Sequence, residues 1–133
     1  MGKEHLPPET GFVFGAGHVA QPTAQLAKMV GFQVCVVDDR PEFANADRFP
    51  DADLIRVVAE FDSALEGLEI DRSGYVVILT RGHLHDRTVL MQALRTEAGY
   101  IGMIGSRRKR EQVLHSLLEE GFSAADLNRV HSP

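Results

Sequence analysis

Hydrophobic and polar positions along the chain follow two alternating periods. Short, nearly unbroken apolar runs occur at 12–14 (FVF), 33–38 (QVCVVD), 53–58 (DLIRVV), 75–80 (YVVILT) and 100–104 (YIGMI). Runs of this length predict strands, and their lack of polar alternation predicts strands covered on both faces. The run at 53–58 is the weakest, because Arg56 interrupts it. Between the runs the period lengthens to that of a helix. Residues 19–30 carry Val19, Ala20, Ala24, Ala27 and Val30 near one face; 61–68 reads as a short helix. Residues 86–95 carry Val89, Leu90, Ala93 and Leu94, and 106–120 carry Val113, Leu114, Leu117 and Leu118. Gly31 and Gly121 fall where helices stop. Ser123 and Asp126 have the spacing of a capping box that opens one more short helix.

Strand–helix alternation with short connections predicts an α/β fold: a Rossmann-like, doubly wound, mostly parallel sheet with helices on both faces. Residues 1–10 are polar, contain Pro7-Pro8 and read as a flexible lead-in, with the domain occupying 11–133. In such sheets ligands bind beyond the carboxyl ends of the strands, where strand order reverses. The residues just after each strand are therefore the ones to weigh for chemistry.

After the first strand comes Gly15-Ala16-Gly17-His18-Val19-Ala20, a G-x-G-x-x-A pattern that opens a helix. Gly15 permits a tight turn, Gly17 lets backbone approach a pyrophosphate, and Ala20 lets helix pack close to strand. The helix start offers free N–H groups and a positive dipole end to phosphate. About 20 residues on, Asp38 ends the second strand in the place of a ribose-binding acid. Asp39 and Arg40 follow it. An acid here suits NAD, and an adjacent arginine suits a 2′-phosphate, so the pattern leaves NAD and NADP both open. His18 either touches a ligand or is an exposed loop residue.

Thr80-Arg81-Gly82-His83-Leu84-His85-Asp86 follows the fourth strand. His83, His85 and Asp86 fall short of a metallohydrolase pattern, with too few ligands for tetrahedral zinc, so no metal is expected. Either Asp86 caps the next helix and the histidines line a polar rim, or Arg81 and the histidines face a ligand. Gly105, Ser106 and Arg107 open the helix after the fifth strand, with Arg108, Lys109 and Arg110 behind them. Four basic residues oppose the helix dipole there, which a nearby anion would relieve. There is no nucleophile elbow, H-E-x-x-H or CxxC, so no catalytic residue is expected. Cys35 reads as a small core residue.

Composition narrows the function classes. The chain has 133 residues, 44% hydrophobic and 25% charged, enough for one domain with its own core. A net charge of −5 argues against nucleic acid, which needs a basic face. No apolar stretch is long enough for a membrane span, and MGKEHLPPETG lacks the apolar region of a signal peptide. One cysteine excludes an internal disulfide, and a cytoplasmic setting is expected.

Four stretches, FGAGHVAQ, VVDDRPEFANADRFP, LTRGHLHD and YIGMIGSRRKR, occur in this order. Together, over 12–133, they resemble the C-terminal Rossmann-like domain of the xanthine dehydrogenase accessory protein family, the XdhC/CoxI type. The resemblance implies a role in maturing molybdenum hydroxylases such as xanthine dehydrogenase. It implies binding of the molybdenum cofactor (molybdopterin), its sulfuration with a cysteine desulfurase, and its delivery to the client enzyme. It also implies that Gly15, Gly17, His18, Asp38, Asp39, Arg40, Arg81, His83, His85 and Ser106 line a strand-end cleft. Members usually carry a preceding domain with a cysteine-containing segment, so persulfide handling is not expected of these 133 residues alone. The residues themselves also allow an NAD(P)-dependent oxidoreductase or an NAD-sensing regulatory domain. A binding module is preferred to an enzyme.

Overall fold

The computed structural model describes residues 9–132. Six strands, β1 (Thr10–Phe14), β2 (Gln33–Asp38), β3 (Leu54–Val57), β4 (Gly74–Ile78), β5 (Tyr100–Met103) and β6 (Val130–His131), form one sheet. Their order is β3-β2-β1-β4-β5-β6 and every pairing is parallel. The chain winds outward from β1 to β3, then returns to β4 and winds the other way. The reversal lies between β1 and β4, so the tips of these two strands define the crevice where such sheets hold ligands.

Alternate strand residues feed two cores. On one face Phe12, Phe14, Val76, Ile78 and Ile101 pack against α2 (His83–Leu94) and α3 (Arg107–Glu119), through Leu90, Ala93, Val113 and Leu117. On the other face Val13, Val34 and Val36 pack against Ala20 and Ala24 of α1 (Ala20–Met29), with Ala44 and Phe49 of the following loop. Each fully buried Leu, Ile or Phe contributes roughly 2 kcal/mol, so these layers hold the sheet in place. Cys35 is buried in the first core as expected, and burial pushes its thiol up to about 11.

Most expected elements appear, with four differences. β1 begins at Thr10, so part of the expected lead-in is strand; residues 1–8 lie outside the described residues. The expected helix at 61–68 is one 3-10 turn, Phe61–Ser63, followed by further turns. Its backbone bonds run from Ser63 to Glu60, Ala64 to Phe61, Glu66 to Ser63 and Leu68 to Leu65. These three-residue bonds still bury Phe61, Ala64 and Leu65, and Gly67 at φ +77° ends the run. α2 begins at His83, three residues before the expected start, because Gly82 at φ +110° is its N-cap and Asp86 is not. β6 has no counterpart in the apolar pattern: two residues are too short to show a period, and only pairing with Ile101 and Gly102 reveals them. The last helix, α4 (Ala124–Leu127), has both bonds of its capping box, each 3.0 Å.

Candidate functional site

The glycine loop sits at the reversal point and its two glycines do different work. Gly15 has φ +111°, and a Cβ there would run into the Leu79 carbonyl. Its amide donates to the Val37 carbonyl at 2.7 Å, while Leu79 donates to Phe14 at 2.7 Å. Gly15 is thus required by the chain's own packing, where β1, β2 and β4 converge. Gly17 is different: a Cβ there would have nothing within 4 Å. No internal contact demands a glycine, and the backbone stands open to an incoming group. His18 and Val19 beside it are exposed, and Val19 is the α1 N-cap without a side-chain cap bond. Of the leading α1 amides, that of Ala20 already donates to the Gly17 carbonyl at 3.2 Å and Pro22 has none, so the head of α1 keeps only part of the amide set that receives phosphate oxygens.

Asp38 is fully buried and holds this loop together. Its Oδ2 accepts from the Ala16 amide at 2.7 Å and from Arg40 at 3.0 Å; its Oδ1 accepts from the Arg40 amide and Nε, both at 3.0 Å. Arg40 lies 4.0 Å from the centre of the Phe43 ring, a cation–π contact. Both Asp38 oxygens accept bonds inside the protein, so Asp38 brackets the tips of β1 and β2. Ala16, buried as well, gives its amide to that bracket rather than to the crevice.

Arg81 reaches across the crevice from the β4 tip. Its guanidinium grips Asp39 with two hydrogen bonds, 2.7 and 2.8 Å, and passes 3.7 Å from Asp38. The fork of Arg81 holds the Asp39 carboxyl well below the usual carboxylate range. A bidentate arginine–carboxylate pair has the geometry of an arginine–phosphate pair, so Arg81 is shaped for an anion. Thr80 donates to Asp86, which is buried in the first turn of α2. Burial raises the Asp86 pKa, opposed by the Thr80 bond and the nearby Lys109 charge. The His85 ring lies tilted at 46° against Phe61, centroids 4.8 Å apart, which turns it toward the α2-side core. The His83 side chain lies outside the described residues. Among the described residues no group of three His, Cys, Asp or Glu side chains is arranged to hold a metal ion.

At the β5 tip, Ser106 caps α3 by accepting from the Lys109 amide at 3.1 Å. Gly105, Arg107, Arg108 and Lys109 are exposed, and the buried Nε of Arg110 has no hydrogen-bond partner. Sequence reasoning missed Arg48, whose guanidinium donates to the Ala16 carbonyl at 2.9 Å and to the Phe43 carbonyl at 2.9 Å. It clamps the glycine loop from the loop after β2, and no periodic signal marks that role. A cavity of about 440 Å³ lies away from the strand tips, between α2 and α3, lined by Leu84, Arg87, Gln112, Val113 and Ser116.

An all-parallel sheet reversing between β1 and β4, with a glycine loop at the head of α1, defines a doubly wound, Rossmann-like domain. Comparison with known proteins narrows that class. The XdhC Rossmann domain matches residues 12–133, and the chain belongs to that family. It is 32% identical over 121 residues to "Uncharacterized protein YqeB" of Escherichia coli (strain K12), covering 91% of this chain and 22% of that protein. It is 31% identical over 102 residues to a probable xanthine dehydrogenase subunit of Bacillus subtilis (strain 168), covering 77% of this chain and 31% of that one. A crystal structure of a xanthine dehydrogenase from Bacillus halodurans superposes with a TM-score of 0.72 at 32% identity. That match covers 82% of this chain and 32% of the other. The chain thus spans less than a third of the two curated relatives it matches.

Proposed function

We propose that this domain is an accessory module of the xanthine dehydrogenase system that binds a phosphate-bearing ligand at the tips of β1 and β4. The observation that carries the reading is Gly17: its open position at the head of α1 has no internal reason to be a glycine. Arg81 beside it has the two-pronged geometry for a phosphate but must exchange its Asp39 carboxylate to use it, and the exposed bases of α3 add positive charge. A pterin cofactor and a nicotinamide dinucleotide both present phosphate oxygens that fit these donors. The nicotinamide reading also asks Asp38 to accept ribose hydroxyls, and its oxygens are already engaged. The molybdenum cofactor is therefore the preferred ligand, a molybdenum hydroxylase the preferred client, and a cysteine desulfurase a second partner in a cytoplasmic setting. When bound, the cofactor supplies the metal chemistry that the client enzyme uses. The chain's own residues bind and orient its phosphate. No helix among the described residues is long and apolar enough to cross a membrane.

Thermal unfolding with NAD, NADP, AMP, CMP and isolated molybdenum cofactor tests this reading. A ligand at one hundred times its Kd stabilises the fold by about 2.7 kcal/mol, several degrees for a domain of this size. The cofactor is expected to give the largest shift, and Gly17→Val to abolish it while the fold survives. Unchanged affinity in Gly17→Val removes the site from the glycine loop. Stabilisation by nicotinamide nucleotides together with hydride transfer replaces the reading by an oxidoreductase.

A further inference from the structure

Arg81 stands against the glycine loop. A Cβ at Gly15 would meet the Thr80 amide at 2.9 Å, so the chain one residue before Arg81 already abuts that loop. The guanidinium passes 3.7 Å from Asp38 Oδ1, and the other Asp38 oxygen holds the Ala16 amide at 2.7 Å. An anion on Arg81 would therefore lie beside the glycines. In the structure that place is taken. Asp39 Oδ1 and Oδ2 accept from Arg81 Nη1 and Nη2 at 2.7 and 2.8 Å. Two parallel bonds to two oxygens are also the way an arginine holds a phosphate.

The two neighbouring acids differ in what their release would cost. Asp38 is fully buried and receives the Ala16 amide, the Arg40 amide and the Arg40 guanidinium, so freeing it would strand all three. The Asp39 and Arg81 side chains are 18% and 42% exposed, and both reach water when they part. An ion pair of that kind is weak enough to be exchanged. Charge points the same way. Asp38 cancels Arg40, Asp39 cancels Arg81, and the field of Glu42 falls on Arg81 as well. While Asp39 is in place, the mouth of the crevice offers an anion no net positive charge from these groups. Arg81 holds the Asp39 carboxyl well below the usual carboxylate range, so the pair stays charged throughout neutral pH.

We propose that Asp39 is an internal stand-in for a ligand phosphate and occupies the Arg81 fork until a phosphate monoester displaces it. The inference rests on the phosphate-binding reading above and adds its regulation. In the exchange the ester gives two oxygens to Arg81 and keeps a third for the open backbone at Gly17, while Asp39 turns to water. A monoester carries roughly −1.5 to −2 charges at neutral pH against the single charge of a carboxylate. It therefore gains by the exchange, whereas a carboxylate ligand only repeats the contact it replaces. The exchange also unties the tip of β2 from the tip of β4, the strands on either side of β1.

Titration with AMP and with inorganic phosphate, followed by phosphorus NMR, tests the exchange. Asp39→Asn is expected to bind both about fivefold more tightly than the wild type, the strength of a partly exposed ion pair. Asp39→Ala, which leaves the fork no acceptor, is expected to gain as much. Arg81→Gln is expected to weaken binding, and adding Asp39→Asn to it to change affinity by about twofold or less, because nothing is left to unmask. Glu42→Gln removes an acid that acts on Arg81 through its field, and is expected to change affinity by about twofold or less. An Asp39→Asn variant that binds no more tightly than the wild type overturns the proposal and leaves the phosphate site standing. A gain that persists without Arg81, or that Glu42→Gln matches, also overturns it, because the effect is then one of bulk charge. Absence of binding in the wild type and every variant, each folded by circular dichroism, overturns the phosphate reading itself and the stand-in with it.

Discussion

The tips of β2 and β5 carry similar kinds of polar side chain and do opposite things with them. At β2, Asp38 and Arg40 face inward: the carboxylate is fully buried, holds the glycine loop through Ala16, and is bracketed by Arg40, itself stacked on Phe43. At β5, Ser106, Arg107, Arg108 and Lys109 face outward, and only Ser106 is committed to the fold, as a helix cap. One tip is spent on the fold; the other leaves its charges exposed. A polar residue at the end of a parallel strand is therefore not by itself a ligand contact. Its neighbours decide whether its hydrogen-bonding capacity is left over.

The largest effect separating the two tips is expected from Asp38→Ala. Removing the carboxylate strands the Ala16 amide and the half-buried Arg40 guanidinium. Breaking one side of a buried ion pair costs about 3–5 kcal/mol. Urea unfolding that shows a loss below about 1 kcal/mol would mean the bracket is not structural. Asp38 would then be free to serve a ligand after all.

The two glycines sharpen the same contrast at a smaller scale. Gly15→Ala is expected to destabilise by about 2 kcal/mol or more, because a positive φ and the Leu79 carbonyl both oppose a Cβ. Gly17→Ala is expected to stay within about 0.5 kcal/mol, since its Cβ meets nothing. Equal effects at both positions would erase the distinction between packing glycine and ligand glycine.

How much of this was legible beforehand follows from what each signal encodes. The strands of the doubly wound sheet were readable because parallel strands buried on both faces leave unbroken apolar runs. α1 and α3 were readable from their periods. Gly15, Gly17 and Asp38 were found as a set, but the bonds of Asp38 to the Ala16 amide and Arg40 were not. The Ala16 amide and Arg40 are adjacent only after β1 and β2 pair. Arg48 was invisible for the same reason: it acts on a carbonyl 32 residues away. One reading made Asp86 a helix cap, because acids favour helix starts. The structure instead begins α2 at Gly82 and turns Asp86 inward to Thr80.

Asp39 and Asp86 contrast in the same way under titration. Arg81 depresses the Asp39 pKa, so its contribution is present above the ordinary carboxylate range and is lost as pH falls below it. The pair is partly exposed, and solvent screening holds it to about 1 kcal/mol or less. Burial raises the Asp86 pKa, so its contribution is greatest below the ordinary range and is lost as pH rises through the elevated value. Asp86→Asn, which keeps an acceptor for Thr80, is therefore expected to raise the melting temperature at pH 7 and to lose that advantage near pH 4. Asp39→Asn is expected to lower it slightly at pH 7 and to match the wild type in strong acid. Parallel pH profiles for the two variants would show that the two carboxylates do not differ in environment.

The smallest stability effect, and the most telling about function, is expected at the β5 tip. Arg107 and Arg108 are exposed, and as cations in the first turn of α3 they oppose the helix dipole. Replacing both with alanine is expected to leave stability within about 0.5 kcal/mol, or raise it slightly, since alanine is the better helix former. If this tip supplies charge to the crevice, the same double variant weakens binding of a phosphate ester, and the deficit shrinks as salt is added, because exposed charges act through a screened field. Isothermal titration at two ionic strengths reads both quantities. A variant that loses stability but not affinity would give the β5 tip the same inward, structural role as the β2 tip, and the phosphate would then rest on Arg81 and the head of α1 alone.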